Sequence, residues 1–205
     1  PYTTLFRSGL GNAAVPLPRP GADSSAEINA LLKAPLSAEA AVRIALLNNP
    51  DWQASLAGAG VGISDAALNT SPAKLKALQA LTLLSAQARK AWISAVAAAQ
   101  SAAALQQAQE TALAAGDLAR RMAQAGNISK LQQAQAQLTL SDATLQLAKA
   151  QQAAFNAREQ LIVTLGLWGE QTGFALPTEL PALPHHPQEL PDIETRALRE
   201  ASELR

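Results

Sequence analysis

Residues 120–138 read RRMAQAGNISKLQQAQAQL, and this stretch decides the fold. Gly126 stands where the residue just past a helix C-terminus takes a left-handed conformation that other side chains resist. Beyond it, Ser129 and Gln132 have the spacing of a capping box, in which a hydroxyl and a side-chain amide satisfy the free backbone donors at a helix start. A helix stop followed at once by a helix start reverses the chain between Gly126 and Ser129.

Working outward, residues 73–125 hold no proline and one glycine, Gly116, among alanine, leucine, glutamine and lysine, all strong helix formers. A helix of that length approaches ~80 Å. The returning helix is predicted over 130–165. It carries two apolar ridges at seven-residue spacing, Leu131, Leu138 and Leu145 on one, and Leu140, Leu147, Ala154 and Leu161 on the other. Two residues of offset is about 200° of rotation, so the ridges lie on nearly opposite sides. A two-sided helix needs a neighbour on each flank, as a stave in the wall of a cylinder has, whereas a two-helix coiled coil needs one seam. The predicted fold is therefore all-α: a long antiparallel helical hairpin, coiled-coil-like, with a third helix on its upper part.

That third helix is predicted over residues 38–68. Ser37 is placed as its N-cap, with Glu39 in the first turn facing the helix dipole. Val42, Ala45, Leu46 and Asn49 mark one face, and Trp52 and Leu56 continue it, although Pro50 can kink the early turns. Residues 69–72 break the chain again, with Ser71 and Pro72 suited to the cap and first position of the long helix. A short amphipathic piece is predicted over 26–33. After Gly166 the prolines at 177, 181, 184, 187 and 191 forbid long helix, so residues 170–191 are expected as an extended, proline-rich connector.

Residues 1–25 are expected as a flexible lead-in. Within it residues 1–8, PYTTLFRS, read as translated sequencing-adapter sequence, without the charged and apolar regions of a signal peptide. At the other end, residues 193–205 can be laid on residues 41–53, pairing Ala197 and Leu198 with Ala45 and Leu46. A second copy of the unit is expected to start at about residue 192. The helical repeat itself spans 26–169.

Composition narrows the function. Of 205 residues 48% are hydrophobic but only 3% aromatic, and lysine plus arginine equals aspartate plus glutamate at 16 each. No net field points to nucleic acid. The absence of cysteine removes disulfides, thiolate metal sites and a cysteine nucleophile. The apolar stretch over residues 91–99, free of charge and amide, is far short of the roughly 18 residues of a membrane-spanning helix, and no other such stretch comes near that length. No serine–histidine–acid set, glycine-rich phosphate loop or H-E-x-x-H pattern occurs, so neither an enzyme nor a cofactor is expected.

Four features in this order resemble the TolC family of outer-membrane efflux proteins. They are LSAEAAVRIALLNNPDWQASLA at 36–57, the tip AGNIS at 125–129 followed by LQQAQAQL, the terminator LGLWGEQTGFALP at 165–177, and a new repeat after a proline-rich connector. The resemblance covers residues 26–205. It implies a passive conduit: part of a periplasmic α-helical tunnel for small molecules or ions, driven by an inner-membrane pump. It also implies a homotrimer of the full-length parent, a periplasmic adaptor protein as partner, and location at the outer membrane and periplasm of a Gram-negative bacterium. The chain departs from the family where two membrane strands are normally inserted, between Leu68 and Ala73, and where the second repeat should continue past Arg205. The alternative is a periplasmic coiled-coil scaffold, or the hairpin of an adaptor of the membrane-fusion-protein kind. Adaptors flank their hairpin with β-rich halves, and no alternating strand pattern occurs here.

The resemblance places adaptor contacts at the tip, on Gly126, Asn127, Ile128 and Ser129; the plainer account makes them turn and cap residues only. His185 and His186, between two prolines, lack the third ligand and spacing of a zinc site, so no metal is expected. Trp168 is expected to pin the connector to the helix end. Arg120, Arg121 and Asp142 suit a charged tunnel lining, and equally a solvated helix face.

Overall fold

The computed structural model describes residues 24–50, 52–54 and 72–182. Among them no strand occurs; they form the α-helices α1 (Ser25–Leu31), α2 (Ala38–Asn48), α3 (Pro72–Gln124) and α4 (Lys130–Leu165), followed by a 3-10 turn (Gly169–Gly173). The long hairpin is α3 running down and α4 running back, packed against each other along their length.

The seam between them follows from side-chain size. On α4 the residues turned from solvent are Ala136, Leu140, Ala143, Leu147, Ala150, Ala154, Ala157 and Leu161, alternating steps of four and three. This is the heptad spacing that keeps one stripe facing a partner helix. On α3 the matching stripe runs through Ala88, Ala91, Ala95, Ala98, Ala102, Leu105, Ala112, Gly116, Ala119 and Ala123. Small residues every few positions let two backbones approach closely. At Gly116 the space a methyl group would fill lies 3.6 Å from Leu140 Cδ2. The predicted ridge through Leu140, Leu147, Ala154 and Leu161 is thus the inner one.

With Gly116 opposite Leu140, Leu165 comes level with about residue 91 of α3, since antiparallel helices rise at the same ~1.5 Å per residue. The upper end of α3 extends past α4, and α2 packs there on both long helices. That end holds the core: Ile28, Leu36, Ile44, Leu46, Trp52, Leu81, Trp92, Val96, Leu161 and Leu165 are buried. Trp92 donates its indole N–H to the carbonyl of Leu36 at 2.7 Å. The connector returns to the same place, where Leu36 N–H donates to the carbonyl of Ala175 at 2.9 Å. Glu27 on α1 pairs with Arg43 on α2.

Two expectations are corrected. The helix predicted over 38–68 is divided: α2 ends at Asn48, and Asn49 is extended (ψ 119°). Asn49 Oδ1 accepts from Trp52 N–H at 3.1 Å and its carbonyl from Gln53 N–H at 3.1 Å. Asn49 is therefore the N-cap of a new helical turn with Pro50 in first position, where a missing donor costs nothing. Ser37 caps α2 as expected, accepting from Ala40 N–H at 3.1 Å. The second correction is Trp168, which is 78% exposed and pins nothing. Its neighbours Leu167 and Phe174 are buried instead. The expected course of residues 55–68, the cap at Ser71 and the second repeat at 192–205 lie outside the described residues. No helix among those described is long and apolar enough to cross a membrane.

Candidate partner-binding surfaces: the hairpin tip and the outer ridge

The tip is built by backbone bonds that the local sequence specifies. Gly126 has φ +77°, and its N–H donates to the carbonyl of Ala123 at 3.1 Å while Asn127 N–H donates to that of Met122 at 2.8 Å. This pair of crossed bonds satisfies carbonyls that the end of α3 leaves free. No atom lies within 4 Å of a methyl group built on Gly126, so glycine is required there by the dihedral and not by crowding. Ser129 Oγ accepts from Gln132 N–H at 3.2 Å, and Gln132 Oε1 accepts from Ser129 N–H at 2.9 Å. The predicted capping box is thus formed on both sides.

The four tip residues come together at one end of the molecule. Gly126, Asn127 and Ser129 are exposed and Ile128 is half-buried. Arg121 and Lys130 stand exposed on either side of the turn, whereas Arg120 is paired with Asp117 one turn back. Asp142 is far from the tip cations along α4, exposed, and accepts from Gln146 Nε2 at 2.7 Å on the same helix; the structure does not gather Arg120, Arg121 and Asp142 into one site.

The second surface is the other predicted ridge. Leu131, Leu138 and Leu145 are 69%, 70% and 53% exposed, in line on the face of α4 turned away from the inner seam. Ala134, Ser141 and Ala148 stand exposed between them, so the ridge repeats the large-and-small alternation of the packed seam. The three leucines thus form an exposed apolar row on one face of α4.

The sequence did not single out two residues that hold the upper end, the base of the hairpin, in shape. Arg158 on α4 donates to the carbonyls of Thr172 and Phe174, at 3.0 and 2.6 Å, and stacks 4.4 Å over the Phe174 ring. Asn48 donates its side-chain amide to the carbonyls of Gly166 and Leu165. An asparagine ending one helix and a glycine ending another were the available signals. Beside them lies an open depression of about 500 Å³, lined by Asn29, Lys33, Trp168, Glu170 and Phe174. Among the described residues no three histidine, cysteine or acidic side chains converge as a metal site would need; His185 and His186 lie outside them.

No protein-family model, curated protein or solved structure matches the chain.

Proposed function

We propose that this chain is a wall element of an outer-membrane efflux or secretion conduit, a stave of a periplasmic α-helical tunnel that conducts small molecules or ions passively. The observation that carries this reading is the exposed ridge of Leu131, Leu138 and Leu145 on the face of α4 opposite the seam with α3. On a free-standing hairpin these leucines contribute helix propensity but no burial, whereas a stave buries them against the next stave. The TolC-like order of motifs supports the same reading. In it, the tip at Gly126, Asn127, Ile128 and Ser129 meets a periplasmic adaptor, and an inner-membrane pump supplies the energy.

The test is site-specific photo-crosslinking of the chain, exported to the periplasm of a Gram-negative cell that holds an adaptor and pump. A photoreactive residue at Asn127 is expected to trap the adaptor, and one at Leu138 a neighbouring tunnel hairpin, with both adducts in the outer-membrane fraction. Adducts that form only with soluble periplasmic proteins would support the coiled-coil scaffold and sink the conduit.

A further inference from the structure

The buried side chains are distributed unevenly along the hairpin. Between residues 97 and 160, which include the lower two-thirds of the hairpin, only Ala112 and Gly116 are buried. The large seam residues in this span, Leu105, Leu140 and Leu147, are half-buried. Above it, Leu81, Leu84, Trp92, Val96, Leu161 and Leu165 are buried in one cluster with α2.

Ordering one residue of backbone costs ~1–2 kcal/mol at 25 °C, and alanine-rich helix propagation roughly cancels that cost without leaving a surplus. The surplus that holds two helices together comes from large apolar groups removed from water, ~1.5–3 kcal/mol for each one fully buried. The upper end has such groups in number and the lower hairpin has none fully buried. A seam of alanine and glycine fixes the approach of the helices but supplies little apolar area. The leucines that carry that area, Leu131, Leu138 and Leu145, face outward.

We infer that the lower hairpin is a conditionally closed element: on an isolated chain its two helices separate from the tip upward while the base stays folded, and cover over the outer ridge holds them shut. This rests on the stave reading for what supplies the cover, but the opening itself belongs to the lone chain. The hairpin end then becomes ordered as a wall is assembled, and an unassembled chain presents a loose tip instead of a finished docking surface.

The experiment is hydrogen exchange on the monomeric chain, resolved by peptide. Amides of residues 100–124 and 133–155 are expected to exchange at least ~100-fold faster than those of 88–96 and 159–165, since local openings span free energies from near zero to the global value. A second variant isolates the motion. The chain has no cysteine, so G116C/L140C places one disulfide across the seam where the two positions face each other. Oxidised, it is expected to slow exchange through 105–150 at least ~10-fold and to leave the base unchanged, because closing a loop removes open states. Protection of the lower hairpin within tenfold of the base, or an oxidised variant whose lower hairpin exchanges as fast as the reduced one, overturns the proposal. Neither readout depends on a membrane, an adaptor or a pump, so the conduit reading and this one fail separately.

Discussion

The indole of Trp92 on the long helix α3 donates to the backbone carbonyl of Leu36, 2.7 Å away and ahead of α2, and both residues are buried. This bond ties the segment leading into α2 to the core at the upper end of the hairpin. A buried carbonyl left without its donor loses the full solvation it had in water. Trp92→Phe, which keeps most of the ring and removes the N–H, is expected to cost ~1–3 kcal/mol, and Trp92→Ala ~3–5 kcal/mol through the cavity as well. Urea denaturation followed by helical circular dichroism measures both. A Trp92→Phe chain as stable as the original would show that the bond contributes nothing net.

Gly166 and Asn48 make a second tie. Gly166 has φ +66°, and a methyl group there would sit 3.1 Å from the Asn48 carbonyl oxygen. Gly166→Ala therefore suffers both a disfavoured dihedral and a close backbone contact, and is expected to lose at least ~1–2 kcal/mol. Asn48→Ala removes the amide that reaches the carbonyls of Leu165 and Gly166 and is expected to cost ~1 kcal/mol. These two losses should not add, because they act on one junction; a double variant whose loss is the simple sum would place the two residues in separate interactions.

Gly116 has the opposite sign. It lies inside α3 with Leu140 opposite, and an added methyl group would make an ordinary contact at 3.6 Å. Alanine is favoured over glycine in a helix interior by ~1 kcal/mol. Gly116→Ala is expected to raise protection of the lower hairpin against exchange by up to ~5-fold, whereas Gly116→Leu, too large for the seam, lowers it. The denaturation midpoint of the base should stay nearly fixed in both, and a midpoint that moved with them would mean that the two ends unfold as one unit.

What the sequence made legible was local. Gly126, Ser129 and Gln132 carry their structural meaning within seven residues, and the reversal they specify is present bond for bond. The heptads show two ridges, but period alone does not say which faces inward: Ala136, Ala143 and Ala150 alternate with the leucines of one and Ala134, Ser141 and Ala148 with those of the other, so only the packing of α3 against Leu140 decides it. The break after α2 is hidden from the periodicity because Trp52 continues the apolar face past Pro50 while the hydrogen-bond pattern restarts at Asn49. Trp168 was misread because the chain turns after Gly166. The residue directly following that glycine, Leu167, folds back on the helix end, as it does in this type of cap, and the next side chain points to solvent.

The outer ridge separates folding from assembly. Leu131, Leu138 and Leu145 stand in water at 53–70% exposure, so replacing all three with glutamine removes little that the lone chain uses. The triple variant is expected to keep the helical signal and denaturation midpoint of the original, within ~0.5 kcal/mol. Glutamine is itself a strong helix former, so a loss of helix would not have propensity as its cause. In the periplasmic crosslinking experiment the same variant is expected to lose the Leu138-ridge adduct to a neighbouring hairpin, read from a probe at Ser141 beside it. The adaptor adduct at Asn127 should weaken with it if cover over the ridge is what closes the tip. A variant that still forms the hairpin adduct at full yield would show that the leucines face something other than the next stave.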